Sequence, residues 1–282
     1  MSTTIMYGNV VADQIRSNLK TEVEQLKEKA IFPRLVVVII GNNQASSTYV
    51  RIKKKAAEKI GISSAVYELE EDTSEDYLIN LIKQFNEDLN THGILIQLPL
   101  PKHINEKRVL ESISPDKDVD GFHPINVGRL SIGQRAFLPC TPLGIIKLLD
   151  YYGVSAQGKH VVVVGRSNIV GKPVGQMLLN QHATVTYCHS RTKNLFDYTK
   201  QADLLIVAVG QAHLITKEAV KEGAVVVDVG NTFLEDGKVV GDVAFDELKD
   251  VVSHITPVPK GVGPMTITML LHNTIEAAKR LN

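Results

Sequence analysis

Apolar residues run nearly unbroken through a series of short segments. These are "RLVVVII" (34–40), "SAVYELE" (64–70), "GILIQL" (93–98), "HVVVVG" (160–165), "ATVTYC" (183–188), "ADLLIVAVG" (202–210) and "GAVVVDVG" (223–230). Stretches with helical spacing separate them. Strands apolar on both faces, alternating with amphipathic helices, predict parallel sheets covered on both sides, so the fold class is α/β. Residues 99–140, rich in Pro, Gly and Asp, interrupt the alternation and read as loops and short pieces. Thr141 and Pro142 then read as the N-cap and first residue of the helix "PLGIIKLLDYY". A domain boundary is placed there, giving two domains, 1–140 and 141–264. A final helix, "MTITMLLHNTIEAAKRL" (265–281), closes the chain, and its periodicity does not say which domain it joins.

Composition narrows the function classes. The chain has 282 residues, 44% of them hydrophobic, which suits two globular domains with sizeable cores. Its 31 basic side chains are matched by 31 acidic ones. A nucleic-acid binder draws most of its affinity from a basic excess over a whole domain, and that reading fails here. The start, "MSTTIMYGNVVADQIRSN", has no basic region leading into a long apolar run. No later run approaches the roughly 18 apolar residues that span a bilayer. The expectation is a cytoplasmic protein without a membrane partner. Cys140 and Cys188 stand in no metal-ligand spacing and read as small apolar residues. In "DKDVDG", Asp116, Asp118 and Asp120 match the first half of a calcium loop, but its twelfth position, which needs a bidentate glutamate, is Val127. No metal is expected.

Candidate chemistry sits at four places. "HVVVVGRSNIVGKPVGQMLLNQ" runs strand, glycine, loop, helix, a layout that presents backbone N–H groups and a helix N-terminus to a phosphate. Its glycines, Gly165, Gly171 and Gly175, depart from G-x-G-x-x-G, and a plain tight connection remains open. Where an NAD enzyme places an acid on the ribose, the next strand ends in Ser190 and Arg191; with Arg166 in the turn, this suits the 2′-phosphate of NADP. In "STYVRIKKKAAEKIGI" a helical wheel puts Tyr49, Ile52, Lys53, Ala56, Ala57 and Ile60 on one side, and Arg51, Lys54, Lys55, Glu58 and Lys59 on the other. Lys53 is the one charge on the apolar side. It either snorkels to water or sits desolvated in a cleft with its pKa lowered, and the wheel alone favours snorkelling. Gln97 lies at the C-terminal end of an apolar strand, where open α/β sheets bind ligands, and can hold a lysine amine or cap a neighbouring backbone. Asp120 reads first as a turn aspartate and otherwise as a carboxylate for a ring with adjacent N–H donors. The Tyr-x-x-x-Lys spacing precedes the glycine turn, the reverse of the order in short-chain dehydrogenases, which excludes that family.

Taken together and in order, "TYVRIKKKAAEKIGI", "GILIQLPLPKHI", "SPDKDVDGFHPINVGRL", "FLPCTPLGI", "VVVVGRSNIVGKPVG" and "ITPVPKGVGPMT" closely resemble the bifunctional methylenetetrahydrofolate dehydrogenase/methenyltetrahydrofolate cyclohydrolase family over nearly the whole chain. The resemblance implies oxidation of 5,10-methylenetetrahydrofolate with NADP, then hydrolysis of the methenyl product to 10-formyltetrahydrofolate. It implies catalytic roles for Lys53, which handles protons, Gln97, which holds it, and Asp120, which anchors the pterin. Tyr49 would stack on the aminobenzoyl portion, and Pro264 would complete the substrate contacts. The implied cofactor residues are Gly165, Arg166, Ser167, Gly171, Ser190, Arg191 and Asn231. It further implies a Rossmann-type NADP domain at 141–264, an N-terminal catalytic domain joined by the last helix (265–282), a cleft between the two, and a homodimer through the cofactor domains. Two departures from the family pattern stand out: Lys260 in "PKGVGPMT" replaces a usual glycine, and "DVGNT" (228–232) replaces "DVGIN". The readings set against this one are a monofunctional dehydrogenase of the same fold and a non-catalytic folate- or nucleotide-sensing module.

Overall fold

The protein is described by a computed structural model covering residues 3–234 and 236–282. From the N-terminus, β1 (Thr4–Ile5) leads into α1 (Gly8–Glu28), β2 (Arg34–Ile40), α2 (Gln44–Lys59) and β3 (Ser63–Leu69). Then come α3 (Glu75–Glu87), β4 (Gly93–Ile96), α4 (Glu106–Glu111), α5 (Pro124–Ser131) and α6 (Cys140–Tyr151). The alternation resumes with β5 (His160–Val164), α7 (Gly171–Asn180), β6 (Thr184–Cys188), α8 (Leu195–Thr199), β7 (Leu204–Val207) and β8 (Val225–Asp228). A small hairpin, β9 (Thr232–Phe233) and β10 (Val239–Val240), precedes α9 (Phe245–Leu248), β11 (His254–Ile255) and α10 (Val262–Leu281).

These elements form two compact units. One comprises Gln14–Cys140 with Ile267–Asn282. Its sheet has the order β3-β2-β4, all parallel. Leu35 to Ile40 of β2 are all buried, as a central strand packed on both faces requires. Val36, Val38, Ile94 and Ile96 meet Leu78, Ile82 and Phe85 of α3 in the core. Ser74 starts α3 by accepting the Tyr77 N–H at 3.3 Å, and the buried Lys117 finishes it, donating to the carbonyls of Phe85, Asn86 and Asp88 at 3.0, 2.8 and 2.7 Å. Within this unit α10 is tied down by Lys279 on Glu22 (2.8 Å) and by Asn282 on His92 (3.1 Å).

The second unit comprises the residues up to Asp13 with Thr141–Thr266. Its six-stranded sheet runs β1-β11-β8-β7-β5-β6, parallel throughout. Residues 3–13, assigned from sequence to the N-terminal domain, therefore run with this unit; the reason is that Thr4 and Ile5 pair with His254 and Ile255. The helix after residue 139 also begins earlier than its sequence suggests. Cys140 is already helical, so Thr141 is not a cap, and its hydroxyl instead meets that of Thr266 at 2.9 Å. Pro142 still falls in the first turn, where its missing N–H has no partner to lose.

Among the described residues, no helix is long and apolar enough to cross a membrane.

Candidate active site

Helix α2 starts where Asn43 accepts the Ser46 N–H at 3.0 Å, and this sets the rotation of every side chain that follows. Val50, Ala57 and Ile60 are buried, whereas Ile52 is 45% and Tyr49 39% exposed. The apolar side of the wheel is thus divided, with Tyr49 and Ile52, one turn apart, forming an exposed apolar strip. Lys53 lies half-buried beside the strip. Its Nζ donates to Gln97 Oε1 at 2.9 Å. Gln97 is held in turn, its backbone N–H on Val38 O (2.8 Å), continuing the β4 ladder, and its Nε2 on Leu98 O (2.7 Å). The amide therefore cannot swing away from the amine.

Asp120 shares this place. Burial pushes its carboxyl above the usual carboxylate range, the Lys53 charge pulls it back, and Asp118 adds to the rise. Asp118, the residue weighed in sequence only as a calcium ligand, has another task. Its carboxylate accepts the N–H groups of Phe122 (3.2 Å) and His123 (2.9 Å) and Nδ2 of Asn126 (2.8 Å), closing the turn that carries Asp120. The arrangement is an amine fixed by an amide oxygen near a partly desolvated carboxylate, able to pass protons and to pair with N–H donors.

The other unit carries the glycine turn. The carbonyl of Ala208 stands where a side chain at Gly165 would project, and Gly165 has φ +130. The backbone of that turn fills the place of a side chain at Gly171, and the Tyr187 ring fills the place of one at Gly175. The first requirement makes the turn and the other two bring α7 against β5 and β6, the packing a dinucleotide turn needs. Ser167 Oγ accepts the N–H groups of Val170 (3.1 Å) and Gly171 (3.2 Å), holding the loop at the start of α7. Val164 of β5 is paired with Cys188 of β6, so Arg166 and Ser190, each two residues further on, leave adjacent strand ends. His189 and Thr192 close the second turn, through Thr192 Oγ1 to the His189 N–H (2.9 Å) and His189 Nδ1 to the Arg191 N–H (3.1 Å). Ser190, Arg166 and Arg191 are exposed. These donors and exposed cations, which form no ion pair among the described residues, suit an anionic ligand.

Asn231 follows β8 in the same unit, where two carboxylates organise the loops. Asp228 accepts from the N–H groups of Gly230 (2.8 Å), Asp242 (2.9 Å) and Val243 (2.9 Å), and Asp242 accepts from Val209 (2.7 Å) and Gly210 (3.0 Å). Pro264 stands in the first turn of α10 and belongs to this unit, not to that of Lys53. Sequence reasoning missed Asp118, Asp228 and Asp242 as organisers. Their signal was faint: Asp228 and Asp242 are acidic residues near glycine at strand ends, Asp118 is one of several aspartates in a charged turn, and both descriptions also fit ordinary turns.

Two family models match the chain in succession. Residues 6–120 match the catalytic domain of the tetrahydrofolate dehydrogenase/cyclohydrolase family, and residues 139–282 its NAD(P)-binding domain. The bifunctional protein FolD of Anoxybacillus flavithermus is 59% identical over 279 residues, 99% of each chain. The crystal structure of the Campylobacter jejuni bifunctional methylenetetrahydrofolate dehydrogenase/cyclohydrolase superposes with a TM-score of 0.98 at 52% identity, covering 99% of both chains. That of the Trypanosoma brucei enzyme, complexed with NADP and an inhibitor, gives 0.95 at 39% identity, over 99% of this chain and 98% of that one. The chain belongs to the tetrahydrofolate dehydrogenase/cyclohydrolase family.

Proposed function

We propose that Lys53 is the proton-handling residue of a bifunctional enzyme, with Gln97 orienting its amine, Asp120 anchoring the pterin through its amino group and a ring N–H, and Tyr49 lying against the aminobenzoyl ring. The chain oxidises 5,10-methylenetetrahydrofolate and hydrolyses the methenyl product to 10-formyltetrahydrofolate. Bound NADP supplies the hydride acceptor. Gly165, Arg166, Ser167, Gly171, Ser190, Arg191 and Asn231 would hold it, the two arginines and Ser190 taking the 2′-phosphate. The first step asks the protein mainly to orient two partners. In the second, water adds to the methenyl carbon, the Lys53 amine takes the proton that the water loses, the bond from that carbon to N5 breaks, and N5 takes up a proton. The single observation that supports this assignment is the 2.9 Å contact from Lys53 Nζ to Gln97 Oε1 beside Asp120. A homodimer acting in the cytoplasm belongs to the same proposal, on the ground of family resemblance.

The test is Lys53→Ala. Decay of methenyltetrahydrofolate absorbance, followed without NADP, should slow by roughly 10²- to 10⁴-fold, while NADP binding stays at its wild-type value. Hydrolysis at the wild-type rate would remove Lys53 from the chemistry. The wild-type protein should perform both steps, which sets it apart from a monofunctional dehydrogenase and from a sensing module.

A further inference from the structure

Val119, the residue before Asp120, has a carbonyl oxygen that takes bonds from two sides. Asn273 Nδ2 of α10 donates to it at 2.8 Å, and the Cys140 thiol donates to it at 3.3 Å. The same Asn273 nitrogen reaches Leu138 O at 3.0 Å and lies 3.8 Å from the Cys140 sulfur. Leu138 and Pro139 press on the other side of Asp120, their backbone filling the place of a side chain at Gly121, which has φ +76. Asp118 holds the following two N–H groups. The backbone around Asp120 is therefore clamped at Val119, at Gly121 and at Phe122–His123.

Asn273 is the part of this clamp that packing alone does not explain. It is 3% exposed and lies among the apolar residues Leu270, Leu271, Ile275 and Ala277 of α10. A leucine there would favour the helix and bury no amide. What the amide adds is a junction between three segments far away in sequence. Cys140 is 1% exposed, and burial, with the Asp120 carboxyl nearby, pushes its thiol well above the usual range, so it keeps the proton that it gives to Val119 O.

We propose that Asn273, together with Cys140, is a positioning residue for the folate ring, fixing the main chain from which Asp120 reaches the pterin. This rests on the role given to Asp120 above. Asn273→Ala should raise the KM for the folate substrate about tenfold in both reactions with a smaller change in kcat, since displacement of an anchoring group by a fraction of an ångström already costs affinity. NADP affinity, measured by fluorescence titration, should not change, and a general loosening of the fold would not spare it. Cys140→Ala removes one donor to Val119 and leaves Asn273 in place, so it should shift the folate KM in the same direction by about two- to threefold. If Asn273→Ala does not fold, the Cys140 variant decides, and a wild-type KM there overturns the proposal. A wild-type folate KM in folded Asn273→Ala, or a parallel loss of NADP affinity, overturns it as well. Asp120→Asn separates this from the reading beneath it: if that variant keeps folate affinity, the anchoring role of Asp120 fails; if it loses affinity while Asn273→Ala does not, only the positioning role fails.

Discussion

Lys53 and Lys54 are consecutive lysines with different surroundings. Lys53 meets the Gln97 amide, whereas Lys54 stands 4.0 Å from Glu58 on the same helix, a half-exposed pair worth only a few tenths of a kcal/mol. One helical step of 100° separates the two. Residue-scale detail of another kind appears at Lys260, which holds φ +81. A side chain in the left-handed region costs roughly 1–2 kcal/mol, of which the greater freedom of an unfolded glycine offsets up to about 1. Lys260→Gly should therefore raise stability by about 0.5–1 kcal/mol, a rise in Tm of about 1–3 °C in a thermal melt. An unchanged or lowered Tm would mean that the lysine side chain makes contacts that outweigh its backbone cost.

At the scale of elements, what could be read from the sequence was what short range determines. The runs 34–40, 160–164 and 225–228 are strands because they are apolar on both faces, and periodicity carries that information. The glycine turn was legible as a spacing too, but only Gly171 answers a close approach within its own strand-turn-helix unit, whereas Gly165 meets Ala208 and Gly175 meets Tyr187 from further along the chain. Contacts between distant segments were not. Asn273 bonds to a carbonyl 154 positions away, and nothing local distinguishes it from a helix residue facing water. The same holds for β1, a two-residue strand too short to carry a pattern, whose partner β11 is equally short. Lys117 is the clearest such case: in sequence it belongs to a charged turn, yet it is 5% exposed and caps α3. Its three acceptors lie at a helix C-terminus, where backbone dipoles favour a cation. Lys117→Met keeps most of the volume and removes all three bonds, so unfolding in urea should show a loss of about 2–3 kcal/mol. Faster amide exchange should appear first in the last turn of α3. Stability equal to wild type would mean that water replaces the ammonium at no cost.

For the whole molecule, zero net charge at neutrality keeps overall self-repulsion small, and pH acts on stability chiefly through individual perturbed groups. Their windows differ and in part overlap. Asp88, Asp203 and Glu276 are lowered, so the stability they contribute is present above their ordinary values and lost only as the pH falls below about 4. His92 and His254 are lowered by burial, so stability rises with pH up to about 6.5 on their account. Asp228 works the other way. Burial raises its carboxyl to about 7 despite three N–H donors. The folded protein thus holds a proton that the unfolded chain has released, and Asp228 contributes stability below about pH 4 that declines until about pH 7, by at most about 4 kcal/mol. The histidines and Asp228 oppose each other between pH 4 and 6.5, so the wild-type curve alone does not separate them. A difference does. Asp228→Asn loses acceptor capacity at every pH, but its deficit relative to wild type should be largest near pH 4, shrink until about pH 7 as the wild-type carboxyl ionises in its buried setting, and stay level from there to pH 8. Urea unfolding of both proteins without cofactor or folate, at steps between those limits, measures this gap. A gap that stays constant would show that Asp228 is ionised throughout, its three backbone donors outweighing burial.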